Sequence, residues 1–202
     1  MLDKTIPYFN VIMKRECGVA DHSMELPPGY NFRSFLIGDE IYWAEIETSV
    51  GEFANEKESA EYFVKNYQSH TQEVYKRVYF LQDGEKKIGT ISAWWNFTGT
   101  RKDPSIHWVA IKPEYQGRGL GRPLINYGIK KCIEIDGNKD IFIHTQTWSY
   151  KAIYLYMTEG FRITEKESFG EYKNDFEQAL PILWKKIKGF QIGEYCQGRC
   201  VP

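Results

Sequence analysis

One stretch constrains this chain more than any other: Ile106-His-Trp-Val-Ala-Ile-Lys-Pro-Glu-Tyr-Gln-Gly-Arg-Gly-Leu-Gly-Arg-Pro-Leu-Ile. The apolar run ending at Ile111 reads as a buried strand. A glycine-rich turn follows. A helix over 119–135 then carries Ile125, Ile129 and Ile133 on one stripe. Gly117, Gly119 and Gly121 fall at alternate positions where turn meets helix. Glycine there lets backbone N–H groups approach a ligand closely. The first N–H groups of a helix lack intrahelical partners, and the helix dipole makes that end positive. A phosphate suits this arrangement, and Pro123 is tolerated in a first helical turn. Between Lys112 and Lys131 stand five basic residues and one acidic residue. The whole chain has a formal charge of -1, so this excess is local. Three glycines alone are equally compatible with a tight connection that binds nothing. Two other phosphate motifs do not fit. Walker A needs Lys-Ser/Thr after its last glycine, where this chain has Arg122-Pro123, and the dinucleotide fingerprint needs its third glycine one residue later.

Around this turn the pattern alternates. Strands are expected at 7–14, 30–35, 77–82, 87–96, 105–111, 141–146 and from 161 to 165. Asp83-Gly84-Glu85 joins two of them as a hairpin. Helices are expected at 39–49 with Asp39 as cap, 59–75 with Ser59 as cap, and 149–159 ending at Gly160. Leu26-Pro27-Pro28-Gly29 is a loop. This order predicts a single α/β domain with a mixed, mostly antiparallel twisted sheet of about six or seven strands, flanked by helices. The expected boundaries are an N-terminal strand and loop over 1–29 packed on the domain, the domain itself over 30–187, and a tail over 188–202.

A chain of 202 residues suits one well-buried domain. Near-neutral charge gives no field that favours nucleic acid or membrane as a partner. No apolar run approaches the ~20 residues of a membrane helix, and the N-terminus lacks a signal-type apolar stretch. Cys17, Cys132, Cys196 and Cys200 form no Cys-x-x-Cys pair, and no histidine lies near the last two. No metal site is expected, and the reducing cytoplasm is the default location.

A family resemblance enters on two blocks. Gln116-Gly-Arg-Gly-Leu-Gly121 resembles the Gln/Arg-x-x-Gly-x-Gly/Ala pattern of the GCN5-related N-acetyltransferase (GNAT) family. Ala152-Ile-Tyr-Leu-Tyr156-Met-Thr-Glu-Gly160-Phe161 resembles that family's Ala-x-x-Leu-Tyr-x-x-x-Gly-Phe. The blocks are separated by a helix and a strand, as in the family. The resemblance is good from about Ile88 to Arg162 and plausible from Tyr30. It implies a GNAT-type fold and acetyl-CoA as co-substrate. Val109, Ala110 and Ile111 would lie beside the pantetheine arm. The backbone amides from Gln116 through Gly117, Arg118, Gly119, Leu120 and Gly121 to Arg122 would take the pyrophosphate. Where the family often has Asn contacting the cofactor arm, this chain has Ser149, which has a shorter side chain and is also placed to cap a helix.

The implied reaction is acetyl transfer to a primary amine by direct attack in a ternary complex, with a small molecule favoured over a protein. The alternative is a sensor module that binds acyl-CoA and transfers nothing. A lysine-like amine has a pKa of about 10.4, so obtaining its free base at neutral pH costs about 4–5 kcal/mol. The departing thiolate benefits from an acid. Tyr156 matches the family's tyrosine for that role and would also contact the cofactor. His107, on the strand beside the cofactor, is the candidate base, since imidazole titrates near neutrality. Arylalkylamine N-acetyltransferases resemble this chain in carrying a histidine there. His144 reads as structural. Trp94, Trp95 and Trp108 are candidates to wall an acceptor pocket, against core packing as the ordinary reading. Glu45 and Glu47 are candidates to meet a cationic acceptor, against a solvated helix face. A monomer or homodimer is expected.

Overall fold

Asp83-Gly84 is a turn signal between two alternating strands, and the chain reverses there with Gly84 at φ +56°. The computed structural model describes residues 2–20, 24–187 and 196–197. Its strands are β1 (Asn10–Arg15), β2 (Tyr30–Ser34), β3 (Val78–Asp83), β4 (Lys86–Thr98), β5 (Arg101–Ile111), β6 (Ile141–Gln146), β7 (Arg162–Thr164) and β8 (Cys196–Gln197). Its helices are α1 (Glu40–Ser49), α2 (Glu56–Tyr67), α3 (Thr71–Arg77), α4 (Gly121–Asp136), α5 (Tyr150–Thr158) and α6 (Phe176–Lys186). The strand order is β2-β3-β4-β5-β6-β1-β7-β8. The β1–β6, β1–β7, β2–β3 and β3–β4 pairs are antiparallel, whereas β5–β6 and β7–β8 are parallel. The fold is therefore mixed α/β with a mostly antiparallel sheet, as the alternation predicts.

The described residues fall into two compact units, one of 2, 24–94 and 107–131, the other of 3–20, 95–106, 132–187 and 196–197. In the first, Phe80, Leu81, Ile88 and Ile91 are fully buried. Helix α4 packs here through Tyr127, whose ring stacks on Phe32 at 3.9 Å and meets Tyr79 edge-on at 5.1 Å. Asp39 precedes α1 but makes no side-chain cap. Its carboxylate instead accepts the Leu36 amide at 2.8 Å and pairs with Arg33 and with Lys87, the latter at 3.1 Å. The buried acid therefore ties β2 and β4 to the start of α1.

In the second unit β1 is an interior strand. It pairs along its whole length with β6, and through Met13 and Lys14 with β7. Val11, Ile12 and Met13 are accordingly almost wholly buried, and Ile12 packs with Phe142 and Phe169. His144 is held structurally. Its Nε2 lies 2.9 Å from Asn10 Oδ1, and its ring stacks on Tyr172 at 3.6 Å. Asn10 in turn donates its backbone N–H and its Nδ2 to Asp175, both at 3.1 Å.

Two expected helices differ. The segment expected at 59–75 starts earlier, because Asn55 is the true cap and its side chain accepts the Glu58 amide at 2.9 Å. The helix also breaks at a 3-10 turn, Gln68–His70, before α3. Ser59 is then an interior, fully buried residue and not a cap. Helix α6 was not expected, although Phe176, Ala179 and Leu183 give it a buried stripe. Of the tail, only Cys196–Gln197 falls within the described residues.

His144 carries a pH consequence. Burial lowers its pKa from 6.5 to about 4. As pH falls from about 6.5 to about 4, the unfolded chain takes up a proton that the folded chain refuses, so stability is lost across that window. Thermal melts between pH 7 and 4 should show a fall that is reduced in His144→Gln.

Candidate active site

The turn between β5 and α4 lies within the first unit. Its entry is fixed twice. The Lys112 amide bonds to Ile88 O at 2.8 Å, and Gln116 Nε2 bonds to Ile111 O at 2.8 Å. Gly117 and Gly119 both have φ +77°, a left-handed conformation that other residues adopt only under strain. A Cβ at either position would meet no atom of the chain within 4 Å. The space above the turn is open, and the two glycines are demanded by conformation, not crowding. The α4 ladder opens with Leu124 N–H bonded to Leu120 O at 3.1 Å. The amides of Gly121 and Arg122 precede it, at the positive end of a sixteen-residue helix. Leu120, 2% exposed, anchors the turn in the core.

The basic excess is partly used by the chain itself. Arg118 donates to Glu114 O at 2.9 Å and to the Tyr30 hydroxyl at 3.3 Å, and lies over the Tyr115 ring. The Tyr30 hydrogen bond holds its pKa above the ordinary value. Lys112 pairs with Glu45 at 2.6 Å. Arg118 therefore braces the loop with its side chain, while its backbone faces the turn.

The end of β5 is irregular. Val109, Ala110 and Ile111 run beside β4, where Gly89 leaves so little room that a Cβ there would come within 2.8 Å of Ala110 O. His107 is half-buried on the same strand. Between His107 and Val109, Trp108 has φ +52°, the only positive value at a non-glycine among the described residues. A bulky residue held there costs on the order of 1–3 kcal/mol and persists only where its surroundings fix it.

What fixes Trp108 is aromatic. Its ring meets Trp43 at 5.1 Å, Phe53 at 5.5 Å and Tyr62 at 5.1 Å. Those three also touch one another, and Trp43 continues the array to Phe63 and Tyr67. Of the three expected tryptophans, Trp108 is in this cluster. Trp94 joins its far end through Tyr67 at 4.8 Å. Trp95 belongs to the other unit, beneath Lys102. Trp43, Phe53 and Tyr62 were missed in the sequence. No local signal joins them, because they meet only through packing of α1, the loop after it and α2.

The two α1 carboxylates separate sharply. Glu45 is tied to Lys112 and partly exposed. Glu47 is 1% exposed, and its Oε1 has no hydrogen-bond partner. The solvated-face reading is therefore wrong for Glu47, which lies one turn after Trp43 on the buried face of α1. Burial, and secondarily the charge of Glu52, push its pKa well above 4.5.

In the second unit, α5 buries Ile153, Tyr156 and Met157. Tyr156 is 5% exposed and meets Phe161 edge-on at 6.1 Å. Gly160 ends the helix at φ +87°, where a Cβ would strike Val19 at 2.8 Å. Ser149 precedes α5 but makes no side-chain cap. It closes a 3-10 turn with φ -92° and ψ 26°, outside the extended geometry a capping serine needs. Among the described residues no group of three or more His, Cys, Asp or Glu is arranged to hold a metal, and no helix is long and apolar enough to cross a membrane.

Glu47 yields a sign-definite expectation. Its folded pKa is raised, so it carries no penalty below about 4.5, and stability falls as pH rises from there toward the folded value. Glu47→Gln removes the ionisable group. Its melting temperature should exceed the wild type's at pH 7–8 and match it near pH 4.

The acetyltransferase (GNAT) family model matches residues 39–161, more than half of the chain. Among solved structures, a GCN5-related N-acetyltransferase from Sphaerobacter thermophilus aligns with TM-score 0.62 and 18% identity, over 78% of this chain and 49% of that one. A GNAT-family acetyltransferase from Colwellia psychrerythraea aligns with TM-score 0.59 and 10% identity, over 78% and 54%. A GCN5-related N-acetyltransferase from Kribbella flavida aligns with TM-score 0.51 and 14% identity, over 77% and 54%. The chain thus spans about half the length of these structures, and at such identities they speak for the fold alone. No curated protein matches. With the glycine turn of β5–α4 and the α5 block both inside the matched region, this chain belongs to the GNAT family of acetyltransferases.

Proposed function

We propose that the protein transfers an acetyl group from acetyl-CoA to a primary amine, a small molecule rather than a protein, by direct attack within a ternary complex. The observation that carries this reading is the cradle at the head of α4: two left-handed glycines, open space above them, and helix amides that precede the intrahelical ladder. These fit a pyrophosphate. Bound acetyl-CoA would supply an activated thioester.

The residues divide the work. Backbone amides from Gln116 to Arg122 take the pyrophosphate. The Val109–Ile111 edge of β5 runs beside the pantetheine arm, and Ser149 makes a shorter polar contact to it than an asparagine would. His107 receives a proton from the acceptor ammonium, directly or through water. The Tyr156 hydroxyl donates one to the departing sulfur. The working domain is 30–187, with 1–29 packed on it and 188–202 a tail. A reducing, cytoplasmic setting suits Cys17 and Cys132, neither of which is in a disulfide.

Incubation with acetyl-CoA and an amine library, with detection of free thiol, tests the activity. Thiol released only when an amine is present supports transfer. Tight acetyl-CoA binding with no release for any amine would leave a sensor.

Acetyl-CoA should raise the melting temperature, and Gly119→Asp should abolish the rise. The new side chain is strained at φ +77° and sets a carboxylate among amides meant for phosphate. An undiminished shift in the variant would remove the turn from the site.

Tyr156→Phe keeps the ring and loses only the hydroxyl. It should lower kcat at least tenfold, within the roughly 10²–10⁴-fold typical of general acid catalysis, and leave acetyl-CoA affinity nearly intact. His107→Gln should remove the acidic limb of the kcat/KM profile. Full kcat in the first variant, or a wild-type profile in the second, would reject the respective role.

A further inference from the structure

We propose that Glu47 and the ring cluster of Trp43, Phe53, Tyr62 and Trp108 form a receptor for an ammonium group, so that the acceptor is a cationic primary amine carried on a compact apolar body. The word acceptor rests on the acetyl-transfer reading above; the binding of the cation does not.

The first observation is a concentration of unsatisfied buried polar atoms. Trp43 Nε1, Glu47 Oε1 and Thr48 Oγ1 on α1, and Ser59 Oγ on α2, are all buried without a hydrogen-bond partner. Trp43 and Ser59 are fully buried and Glu47 is 1% exposed. Folded proteins pair nearly all such groups, and an unpaired carboxyl is among the most costly. A group that is expensive in the empty protein, one helical turn from Trp43 on the buried side of α1, points to a ligand that completes it.

The second observation is the wall. All six ring pairs among Trp43, Phe53, Tyr62 and Trp108 lie between 5.1 and 6.3 Å. Glu47 reaches this cluster through the chain itself. It follows Trp43 by one helical turn. The backbone then reverses at Gly51, and the Glu52 amide bonds back to Glu47 O at 3.2 Å. Phe53, the next residue, lies on Trp43 and Trp108. Trp43 is sealed, but Tyr62 is 36% exposed and Phe53 and Trp108 are half-buried, so the cluster has a solvent-facing rim. Aromatic faces attract cations, most strongly when desolvated.

The third observation is charge. Glu45 is already neutralised by Lys112 at 2.6 Å. Glu47 has no such counter-ion among the described residues, and burial and then the charge of Glu52 favour its protonated form in the empty protein. A positive group beside it would favour the carboxylate. An ammonium supplies such a group together with donors for Glu47 Oε1. The rings accept the apolar body behind it and would disfavour a strongly hydrated or anionic acceptor.

The test uses the full chain without acetyl-CoA, so that it reads recognition and not chemistry. Cyclohexylmethylammonium is titrated against its uncharged counterpart cyclohexylmethanol, followed by calorimetry and by tryptophan fluorescence. The wild type should bind the ammonium at least tenfold more tightly, with a fluorescence change. Glu47→Gln, which keeps shape and is expected to fold at least as well, should reduce that preference to less than threefold. Glu45→Gln should retain it. Equal binding of the two probes, binding of neither, or an undiminished preference in Glu47→Gln would overturn the proposal. If a charge-dependent preference is present but no amine is acetylated, the acetyl-transfer reading fails and this one stands. Where transfer is confirmed, Glu47→Gln should raise the amine KM at least tenfold with kcat changed less than threefold.

Discussion

The first unit depends on how the chain leaves β5. Nine residues, 112–120, carry the chain from β5 to α4, and among them Gly117 and Gly119 adopt left-handed backbone. Everything around the turn serves that geometry. Lys112 and Gln116 fix the last strand residue, Arg118 ties the loop to Tyr30 and Glu114, and Leu120 is sunk in the core. The direction of α4 then follows from Tyr127 stacking on Phe32. The turn is shaped mostly by backbone, and its side chains brace the loop, so the motif is legible as glycine spacing more than as charged residues.

The acidic residues of the same unit show how context divides one chemistry into several roles. Asp39 is a buried anchor with two cationic partners and a backbone amide. Glu45 is a neutralised surface acid. Glu47 is a buried acid whose environment favours the protonated form. Only the last has chemistry to spare, and it lies on the face of α1 that carries Trp43.

Local rules made much of the fold readable. The Asp83-Gly84 hairpin, the alternation of β6 and the glycine stop of α5 each rest on residues a few positions apart, and β6 falls at the expected 141–146. The α2 start was misread because Ser59 has a capping side chain, whereas in the fold it is buried inside the helix and Asn55 caps it. Helix α6 was hidden by Pro181 within it, which normally argues against a helix. The strained Trp108 had no local signal at all. Its conformation is imposed by rings from α1, the loop after it, and α2, which meet only once the chain has folded. The same holds for Glu47. Its sequence neighbours suggest a solvated face, and its isolation follows from packing. The turn was legible as a motif, whereas the aromatic wall was not.

The interior place of β1 bears on how the molecule is made. Asn10–Arg15 is made well before its two pairing strands, β6 and β7. Until residues 141–146 emerge, Val11, Ile12 and Met13 lack their partner strand β6. A short, strongly apolar strand must wait through the synthesis of everything between. Closing that pairing requires a long loop, which slows formation of the second unit relative to the locally paired β3–β4 hairpin. The second unit therefore closes only when segments far apart in the chain have met. Occupancy of the nascent 10–15 segment by a holdase, or its capture by another chain's open edge, becomes the main hazard of its biogenesis.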